Sequence, residues 1–324
     1  MPLLPPAGPC WGRSAAGREL QSQVARVAAC SAPVLLIGES GCGKEVVARS
    51  IHAASARAAQ PFVAVNCAAL PAALIEAQLF GHERGSFTGA HARSAGYFEH
   101  ASGGTLFLDE VTGMAPEMQV RLLRALETGS FHRIGGSEPV QCDLRVISAA
   151  HQDPAIDARA GHFREDLLYR LAVLPLRVPA LRERRDDIEL LACHFLDEFN
   201  ARSERKRRFS ATALKQLRER PWPGNVRELR NAVQRLFIMA DDVIDDGRAD
   251  LPAEADRGGC VLDEERSALR VRIGVPLAEL ERDIILATLS HHDGDKRMAA
   301  RTLGVSLKTL YNRLDVYRHD AVTR

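Results

Sequence analysis

Two patterns of hydrophobic and polar positions divide the chain. Between residues 34 and 178, short apolar runs such as 34–37 and 105–108 alternate with segments whose apolar residues recur at helical spacing. Short buried runs separated by helices are typical of a parallel sheet, because parallel strands need crossover connections. From residue 181 onward the spacing is helical throughout. The pattern therefore predicts an α/β domain followed by an all-helical part.

The helical part divides further at breaks in periodicity. A break at 221–225, with two prolines and a glycine, makes Asn225 the expected cap of the next helix. Residues 241–259 are acidic, contain glycine and proline and lack periodicity, which is typical of a linker. Helices are predicted over 188–199, 211–220, 226–239, 277–289, 296–303 and 307–317. The expected domains are 1–178 (α/β), 179–245 (helical), 246–276 (linker) and 277–324 (C-terminal helices).

The apolar run 34–37 leads directly into a glycine-rich turn, GESGCGKE at 38–45, and then into a helical segment. Glycines allow successive backbone N–H groups to converge on phosphates, and the following helix directs its positive end at them. Lys44 is then placed to reach the β- and γ-phosphates, although Glu45 stands where such loops carry serine or threonine. A glycine-rich surface turn is the alternative. The residues expected to contact the nucleotide are Gly38, Glu39, Ser40, Gly41, Cys42, Gly43, Lys44 and Glu45.

The run 105–108 ends in two acids, Asp109 and Glu110. Ligands of open α/β folds lie at the carboxyl edge of the parallel strands, where both side chains are expected. Asp109 is expected to hold Mg²⁺, directly or through water, and Glu110 to orient and polarise an attacking water. Asn66, at the end of the preceding apolar run, is expected to face the same edge. The alternatives are two acids opening a surface turn, and a turn cap at Asn66.

A loop at 79–90 is broken by regularly placed glycines yet carries Phe87. A core strand is not interrupted in this way. An exposed aromatic side chain on a loop indicates contact with another molecule.

Four further residues are candidates with open alternatives. His151 follows a predicted strand and either senses the γ-phosphate or is structural. Arg164 and Arg170 are either solvated charges or arginine fingers supplied to a neighbour's nucleotide. Arg227 lies in the first turn of a predicted helix, where the dipole prefers acids, and an anionic ligand would explain it.

The composition indicates the class of protein and its cellular compartment. Of 324 residues, 46% are hydrophobic and 26% charged, as in globular proteins, and the net charge of +1 indicates no partner. Seven scattered cysteines without a Cys-x-x-Cys pair support neither a disulfide framework nor a zinc site. There is no apolar run long enough to span a bilayer, and residues 1–10 lack the charged n-region of a signal peptide. We therefore expect a cytoplasmic protein with no membrane partner.

The C-terminal helices carry a local excess of positive charge. Between Lys296 and Arg318, six lysines and arginines accompany a single acid, Asp315. Two short helices joined by a tight turn at 304–306 predict a helix-turn-helix, and the charge favours double-stranded DNA. An interaction hairpin that binds protein is the alternative. Candidates for DNA contact are Lys296, Arg297, Ser306, Lys308, Thr309, Asn312 and Arg313.

The chain carries the motifs GESGCGKE at 38–45, GSFTGA at 85–90, GGTLFLDE at 103–110, FREDLLYRL at 163–171 and WPGNVREL at 222–229. Together these motifs resemble those of the sigma-54-dependent transcriptional activators, the bacterial enhancer-binding proteins. The resemblance extends from about residue 11 to residue 317, and the C-terminal segment resembles the Fis-type DNA-binding domain of that family. It implies an AAA+ P-loop ATPase with a helical lid, which binds ATP and Mg²⁺ and assembles into a ring, usually a hexamer.

The resemblance implies a role for each candidate near the nucleotide. Lys44 and the glycine loop bind ATP, and Asp109 and Glu110 form the Walker B pair. Asn66 matches the switch asparagine, which restrains the catalytic glutamate until the partner is engaged. The family usually carries an acid at the position of Glu45.

The resemblance also implies roles between molecules. His151 falls at the first sensor, Arg227 at the second, and Arg164 and Arg170 at the fingers that act on a neighbouring subunit. The loop that contacts sigma-54 is matched by Gly85, Ser86, Phe87, Thr88, Gly89 and Ala90.

Two positions depart from the family pattern. Cys42 stands where threonine is usual, and a thiol is a weak hydrogen-bond donor and a poor ligand for hard Mg²⁺. Because such loops bind mainly through backbone N–H groups, we expect binding to persist with an altered rate. Ser86 replaces the alanine of GAFTGA but is small and leaves Phe87 and Thr88 in place, so we expect the loop to function.

The implied function is an enhancer-bound ring that uses ATP hydrolysis to convert the closed complex of sigma-54 RNA polymerase into an open complex. A passive DNA-binding regulator that works without sigma-54 is an alternative, favoured only by Cys42 and Ser86. An AAA+ remodeller of other proteins would leave the basic C-terminal helices unexplained. The spacing of apolar residues also predicts a helix over 15–30, and the residues before it leave no room for a receiver domain. We therefore expect control by a partner protein or by expression level.

Overall fold

The computed structural model describes residues 12–68, 72–87, 90, 92–246, 260–262, 269–271, 277–292 and 295–322. The chain forms two compact units, Met1–Ala249 and Asp250–Arg324. Among the described residues, no helix has the length and apolar character needed to cross a membrane.

A parallel sheet of five strands forms the centre of the first unit, in the order β2-β3-β6-β1-β7. Between β3 and β6 the chain forms an antiparallel hairpin of β4 and β5, and β8 pairs with β9 near the end of the unit. The parallel sheet confirms the predicted α/β fold. The strands are β1 (Val34–Ile37), β2 (Phe62–Asn66), β3 (Thr105–Asp109), β4 (Ser130–His132), β5 (Pro139–Gln141), β6 (Arg145–Ala150), β7 (Leu174–Arg177), β8 (Arg208–Phe209) and β9 (Val243–Ile244).

Helices cover both faces of the sheet. Residues of α1 and α2 pack on one face, and residues of α3, α5 and α7 pack on the other. The helices of this unit are α1 (Ala15–Ala28), α2 (Lys44–Ala53), α3 (Ala72–Phe80), α4 (Tyr97–His100), α5 (Pro116–Thr128), α6 (Pro154–Arg159), α7 (Glu165–Leu171), α8 (Ile188–Asn200), α9 (Ala211–Glu219) and α10 (Asn225–Met239). Short 3-10 turns occur at Val111–Gly113, Leu181–Glu183 and Arg185–Asp187.

Strand β3 shows why its sequence is continuously apolar. Leu106 and Leu108 belong to the core beneath α5 and α7, whereas Phe107 belongs to the core beneath α1 and α2. Successive side chains point to opposite faces, so a strand buried on both faces needs apolar residues at every position. The first polar side chain after this run is that of Asp109, which therefore emerges at the carboxyl edge of the sheet.

Helices α8, α9 and α10 form the helical lid that follows the sheet. Their core contains Trp222, whose indole N–H donates to the Leu217 carbonyl at 2.7 Å. Strand β9 lies inside the stretch 241–259 that the sequence predicts as an irregular linker. Regular structure therefore extends into this stretch, because Val243 and Ile244 pair with Arg208 and Phe209.

The second unit contains β10 (Cys260–Leu262), β11 (Leu269–Val271), α11 (Leu277–His291), α12 (Lys296–Thr302) and α13 (Leu307–Val322). The two strands pair antiparallel within the predicted linker 246–276. Ala299, Ala300 and Leu310 are buried where the helices meet, and Gly304, at φ 68°, makes the turn between α12 and α13. Only glycine adopts this left-handed conformation without steric cost.

Candidate nucleotide site and DNA-binding helices

The glycine loop connects β1 directly to α2. Gly41 and Gly43 have φ values of 75° and 105°, and a Cβ on Gly41 would lie 2.5 Å from the carbonyl oxygen of Gly224. Lys44 is buried, and its Nζ donates to the carbonyl oxygens of Gly38 at 2.7 Å and Glu39 at 3.3 Å. The loop thus holds a cation beside the N-terminus of α2, an arrangement suited to phosphate.

The candidate acids lie at the carboxyl edge of the sheet. Asn66 and Asp109 are partners in the parallel pairing of β2 and β3. Burial raises the pKa of the Asp109 carboxyl, which Lys44 opposes and Glu110 reinforces. Glu110 has a φ of 54°, unusual for a residue other than glycine, and its Oε2 lies 3.5 Å from His151 Nδ1. The structure therefore brings Asn66, Asp109, Glu110 and His151 to one edge.

Asn66 makes a local contact in this structure. Its Oδ1 accepts a hydrogen bond from the Ala68 backbone N–H at 2.9 Å, as in the turn cap that the sequence left as an alternative. The residue remains next to Asp109 in the register of the two strands.

The lid contacts the glycine loop through the start of α10. The backbone N–H groups of Val226 and Arg227 donate to the Gly41 carbonyl at 3.0 and 3.3 Å. Arg227 Nη1 donates to Ser40 Oγ at 3.2 Å. The cation in the first turn of this helix therefore faces the candidate phosphate site.

Asn225 does not cap α10 as predicted. Its φ is 56°, its side chain is fully buried, and its Oδ1 accepts from the Leu181 N–H at 2.8 Å. Its Nδ2 donates to Glu39 Oε2 and to the Ser40 carbonyl, both at 3.1 Å. The side chain is directed back to the glycine loop and the first turn of the lid, where its buried amide both donates and accepts hydrogen bonds.

Glu39 also points at the lid. Arg182 donates to both oxygens of its carboxylate, at 2.7 and 2.5 Å. These hydrogen bonds, together with that from Asn225, lower the pKa of Glu39 to about 2. The sequence does not single out Arg182 or the tertiary role of Asn225, since Arg182 lies in a run of charges and Asn225 resembles an ordinary helix start.

Cys42 is buried, and burial raises the pKa of its thiol. Its carbonyl accepts from Arg184 Nη2 at 2.7 Å. A cavity of about 360 Å³ opens beside it between α2, α8 and α10. The cavity wall is mainly apolar, and its charged or titratable side chains include Arg184, His194, Glu198 and Arg230.

The remaining nucleotide candidates have partners on the surface. Glu45 pairs with Arg49 one turn further along α2, at 2.7 Å. Arg164 pairs with Asp166 at 2.7 Å, and Arg170 Nη2 donates to the Leu126 carbonyl at 2.7 Å. Arg164 and Arg170 are both solvent-exposed, as groups that act on a neighbouring molecule must be.

Of the predicted sigma-54 loop, Thr88 and Gly89 lie outside the described residues, while Gly85, Ser86, Phe87 and Ala90 are described. Phe87 is 43% exposed, and its ring centroid lies 5.0 Å from that of His82. The Gly85 N–H donates to the Ala90 carbonyl at 2.8 Å, which closes the base of the loop.

The DNA-binding candidates lie on α12, α13 and the turn between them. Ser306 Oγ accepts from the Thr309 N–H at 3.1 Å, which caps α13. Lys296 Nζ lies 4.7 Å from the ring centroid of Tyr311, an exposed residue that the sequence analysis did not select. Arg313 pairs with Glu281 of α11 at 3.1 Å. Arg297, Lys308, Thr309 and Asn312 are exposed.

Three family models match successive parts of the chain. Residues 10–177 match the Sigma-54 interaction domain, and residues 182–260 match the AAA+ ATPase lid domain. Residues 276–317 match the bacterial regulatory proteins of the Fis family. These matches cover the glycine loop, the lid and the helix-turn-helix in turn.

Curated relatives and a solved structure match over nearly the whole chain. Transcriptional regulatory protein ZraR of Escherichia coli (strain K12) is 45% identical over 304 residues, covering 94% of this chain and 67% of ZraR. DNA-binding transcriptional regulator NtrC of Azospirillum brasilense is 42% identical over 330 residues, covering 94% of this chain and 69% of NtrC. NtrX of Brucella abortus has a TM-score of 0.70 at 36% identity, covering 95% of this chain and 69% of NtrX, and its complex with ATP scores 0.69. With its Sigma-54 interaction domain, AAA+ lid and Fis-type helix-turn-helix, the chain belongs to the sigma-54-dependent transcriptional activators.

Proposed function

We propose that this protein binds enhancer DNA in the cytoplasm and hydrolyses ATP to convert the closed complex of sigma-54 RNA polymerase into an open complex. The observation that carries the proposal is the position of the candidate groups. The glycine loop with Lys44, the acids Asp109 and Glu110, and the lid cation Arg227 belong to one compact unit and adjoin one edge of its sheet. That NtrX has been solved in complex with ATP supports nucleotide binding by this chain.

The glycine loop and the acidic residues have different roles in phosphoryl transfer. The backbone N–H groups of 38–45 and Lys44 hold the triphosphate, and Arg227 reaches it from the lid. Glu110 orients and polarises the attacking water, and His151 beside it reports the state of the γ-phosphate. Asn66 restrains Glu110 until the partner is engaged, which requires the asparagine to leave its contact with Ala68.

The donor set at Asp109 fits Mg²⁺. Among the described residues there is no group of three or more histidines, cysteines or acids that could hold a metal ion by themselves. Mg²⁺ needs no such cage, because it keeps several waters and is held by one or two carboxylates together with substrate phosphates. Asp109 would be the protein ligand, and the bound ion would neutralise charge on the phosphates.

Self-association completes the site in this proposal. Arg164 and Arg170 are exposed on and next to α7 and would act as fingers on the nucleotide of a neighbouring subunit in a ring, as the family resemblance implies. Residues 85–90, here called the Phe87 loop, then transmit the nucleotide state to sigma-54. Its coupling to the site requires a contact that differs between nucleotide states, which the γ-phosphate supplies.

The first test separates ATP hydrolysis from open-complex formation. Asp109→Ala is expected to abolish ATP hydrolysis, whereas Thr88→Ala is expected to leave hydrolysis near the wild-type rate and abolish open-complex formation. The measurements are phosphate release and in vitro transcription with sigma-54 RNA polymerase, each with ATP and with a non-hydrolysable analogue. Normal activation by Thr88→Ala would contradict the role of the loop. Activation by the wild type without hydrolysable ATP would favour the passive regulator instead.

A further inference from the structure

Glu39 has a role in the glycine loop that phosphate binding does not explain. A carboxylate repels a polyphosphate, yet this one lies within the loop that would hold it. Its side chain is directed at the lid, where Arg182 donates to both of its oxygens at 2.7 and 2.5 Å. Bidentate pairs of this kind fix geometry as well as neutralise charge.

Asn225 adds a second connection at the same junction. The fully buried amide accepts from the Leu181 N–H and donates to Glu39 and to the Ser40 carbonyl. Leu181 and Arg182 belong to the turn that begins the lid, and Asn225 begins α10. Two elements of the lid, its first turn and α10, therefore meet on the carboxylate of a single loop residue.

The position of Arg227 depends on this junction. Arg227 lies two residues after Asn225 in α10 and donates to Ser40 Oγ. If α10 separates from the loop, the lid cation moves away from the phosphates while Lys44 stays with them. Binding that uses both cations therefore requires the junction to be closed.

We infer that Glu39, Arg182 and Asn225 form a latch that holds the lid against the glycine loop and thereby sets the affinity for the nucleotide. Glu39 is a positioning residue in this inference, since it acts through Arg182 and Asn225 and not on the phosphates. The inference rests on the proposed function, because it deepens the account of the same nucleotide site.

For Glu39→Gln, a direct electrostatic effect and the latch predict opposite changes in the affinity for ATP. If Glu39 acted only by its charge, Glu39→Gln would remove repulsion and tighten binding of ATP, and Arg182→Gln would weaken it. The latch predicts that both substitutions weaken binding, by about five-fold each, in the range of a well-formed surface ion pair. It also predicts that the double variant is no weaker than either single one, because each breaks the same contact.

The experiment uses the full chain and the fluorescent nucleotides mant-ATP and mant-ADP. Dissociation constants are measured for the wild type, Glu39→Gln, Arg182→Gln and the double variant. Arg177→Gln is the matched control, since it removes a charge near Glu39 but pairs with Glu183, at 2.7 Å, outside the latch. Its affinity is expected to stay within about two-fold of the wild type, as for an exposed pair.

Three results would overturn the latch alone: tighter binding by Glu39→Gln, additive effects in the double variant, or wild-type affinity in both single variants. A loss of stability without nucleotide that accounts for the weaker binding would also overturn it, because the pair would then be merely structural. We expect the unfolding midpoint of the free protein to change by less than about 3 °C. Failure of the wild type to bind mant-ATP would overturn the proposed function and the latch together.

Discussion

Asn225 combines a backbone conformation with a set of hydrogen bonds that few residue types can supply. Its φ of 56° lies in the left-handed region, which asparagine tolerates better than most residues. Its amide supplies both a donor and an acceptor, and it uses both in a fully buried position. Two independent requirements, the left-handed backbone conformation and the buried hydrogen bonds, therefore favour asparagine at this position.

Substitution separates these two requirements. Asn225→Ala loses the acceptor for the buried Leu181 N–H and strains the backbone, so we expect a loss of about 3 kcal/mol in the free energy of unfolding. Asn225→Gly loses the same hydrogen bonds without the strain and should be about 1 kcal/mol more stable than the alanine variant. Urea denaturation measures both.

Asn231→Ala is the control, because Asn231 is exposed on the same helix with helical geometry. Its stability should lie within about 0.5 kcal/mol of the wild type. Equal stabilities for Asn225→Ala and Asn225→Gly would show that the backbone conformation carries no cost.

At the scale of residues, the sequence predicts the functional groups that belong to a local motif. Lys44, Asp109 and Glu110 follow apolar runs that fix their place at the edge of a sheet, and the structure puts them there. It could not predict Arg182, whose partner Glu39 lies 143 positions away along the chain. Partners this distant depend on how the lid packs, which periodicity does not encode.

Among the elements, the β4–β5 hairpin provides a support for the Phe87 loop. Arg133 follows β4, is 8% exposed, and pairs with Glu99 at 2.5 Å and Glu83 at 3.1 Å. The Glu83 N–H also donates to the Ile134 carbonyl at 3.0 Å. A largely buried guanidinium group and a backbone hydrogen bond therefore connect the base of the loop to the hairpin.

Removal of that group should loosen the loop. Arg133→Ala leaves the carboxylates of Glu83 and Glu99 without their buried partner, and we expect a loss of about 3 kcal/mol in the free energy of unfolding. Open-complex formation should fall more than ATP hydrolysis, because the nucleotide site is not touched. Denaturant unfolding, phosphate release and sigma-54 transcription measure the three quantities.

Arg93→Ala is the matched control, since Arg93 is 60% exposed and lies 3.8 Å from the same Glu83. Its stability should change by less than about 1 kcal/mol. Equal losses of transcription in the two variants would contradict a special role for the buried arginine.

The prediction of elements succeeded where periodicity extends over several turns, as in α8 and α10, whose bounds lie within a residue or two of those expected. It did not foresee β4 and β5, because strands of three residues offer too few positions to show alternation. In the second unit, the apolar residue Val305 follows the Gly304 turn between α12 and α13 and is 39% exposed.

For the whole molecule, net charge conceals a strongly uneven distribution. The chain as a whole carries +1, whereas residues 296–318 contain six lysines and arginines and one acid. Neutralising DNA phosphates releases condensed counterions, so affinity for DNA should fall steeply with salt. The structure further divides these cations, because Arg313 is paired with Glu281 while Lys308 is exposed on α13.

The different contributions of Lys308 and Arg313 can be measured from the salt dependence of binding to enhancer DNA. Lys308→Ala should reduce the slope of log affinity against log salt by about 1, the value for one lost phosphate contact. Arg313→Ala should reduce it by less, because Glu281 already neutralises that guanidinium in the free protein. Lys215→Ala, an exposed lysine of α9 in the first unit, should leave the slope unchanged. A slope that is the same for the wild type and Lys308→Ala would contradict a phosphate contact at α13, and the exposed face of that helix would then fit a protein partner better than DNA.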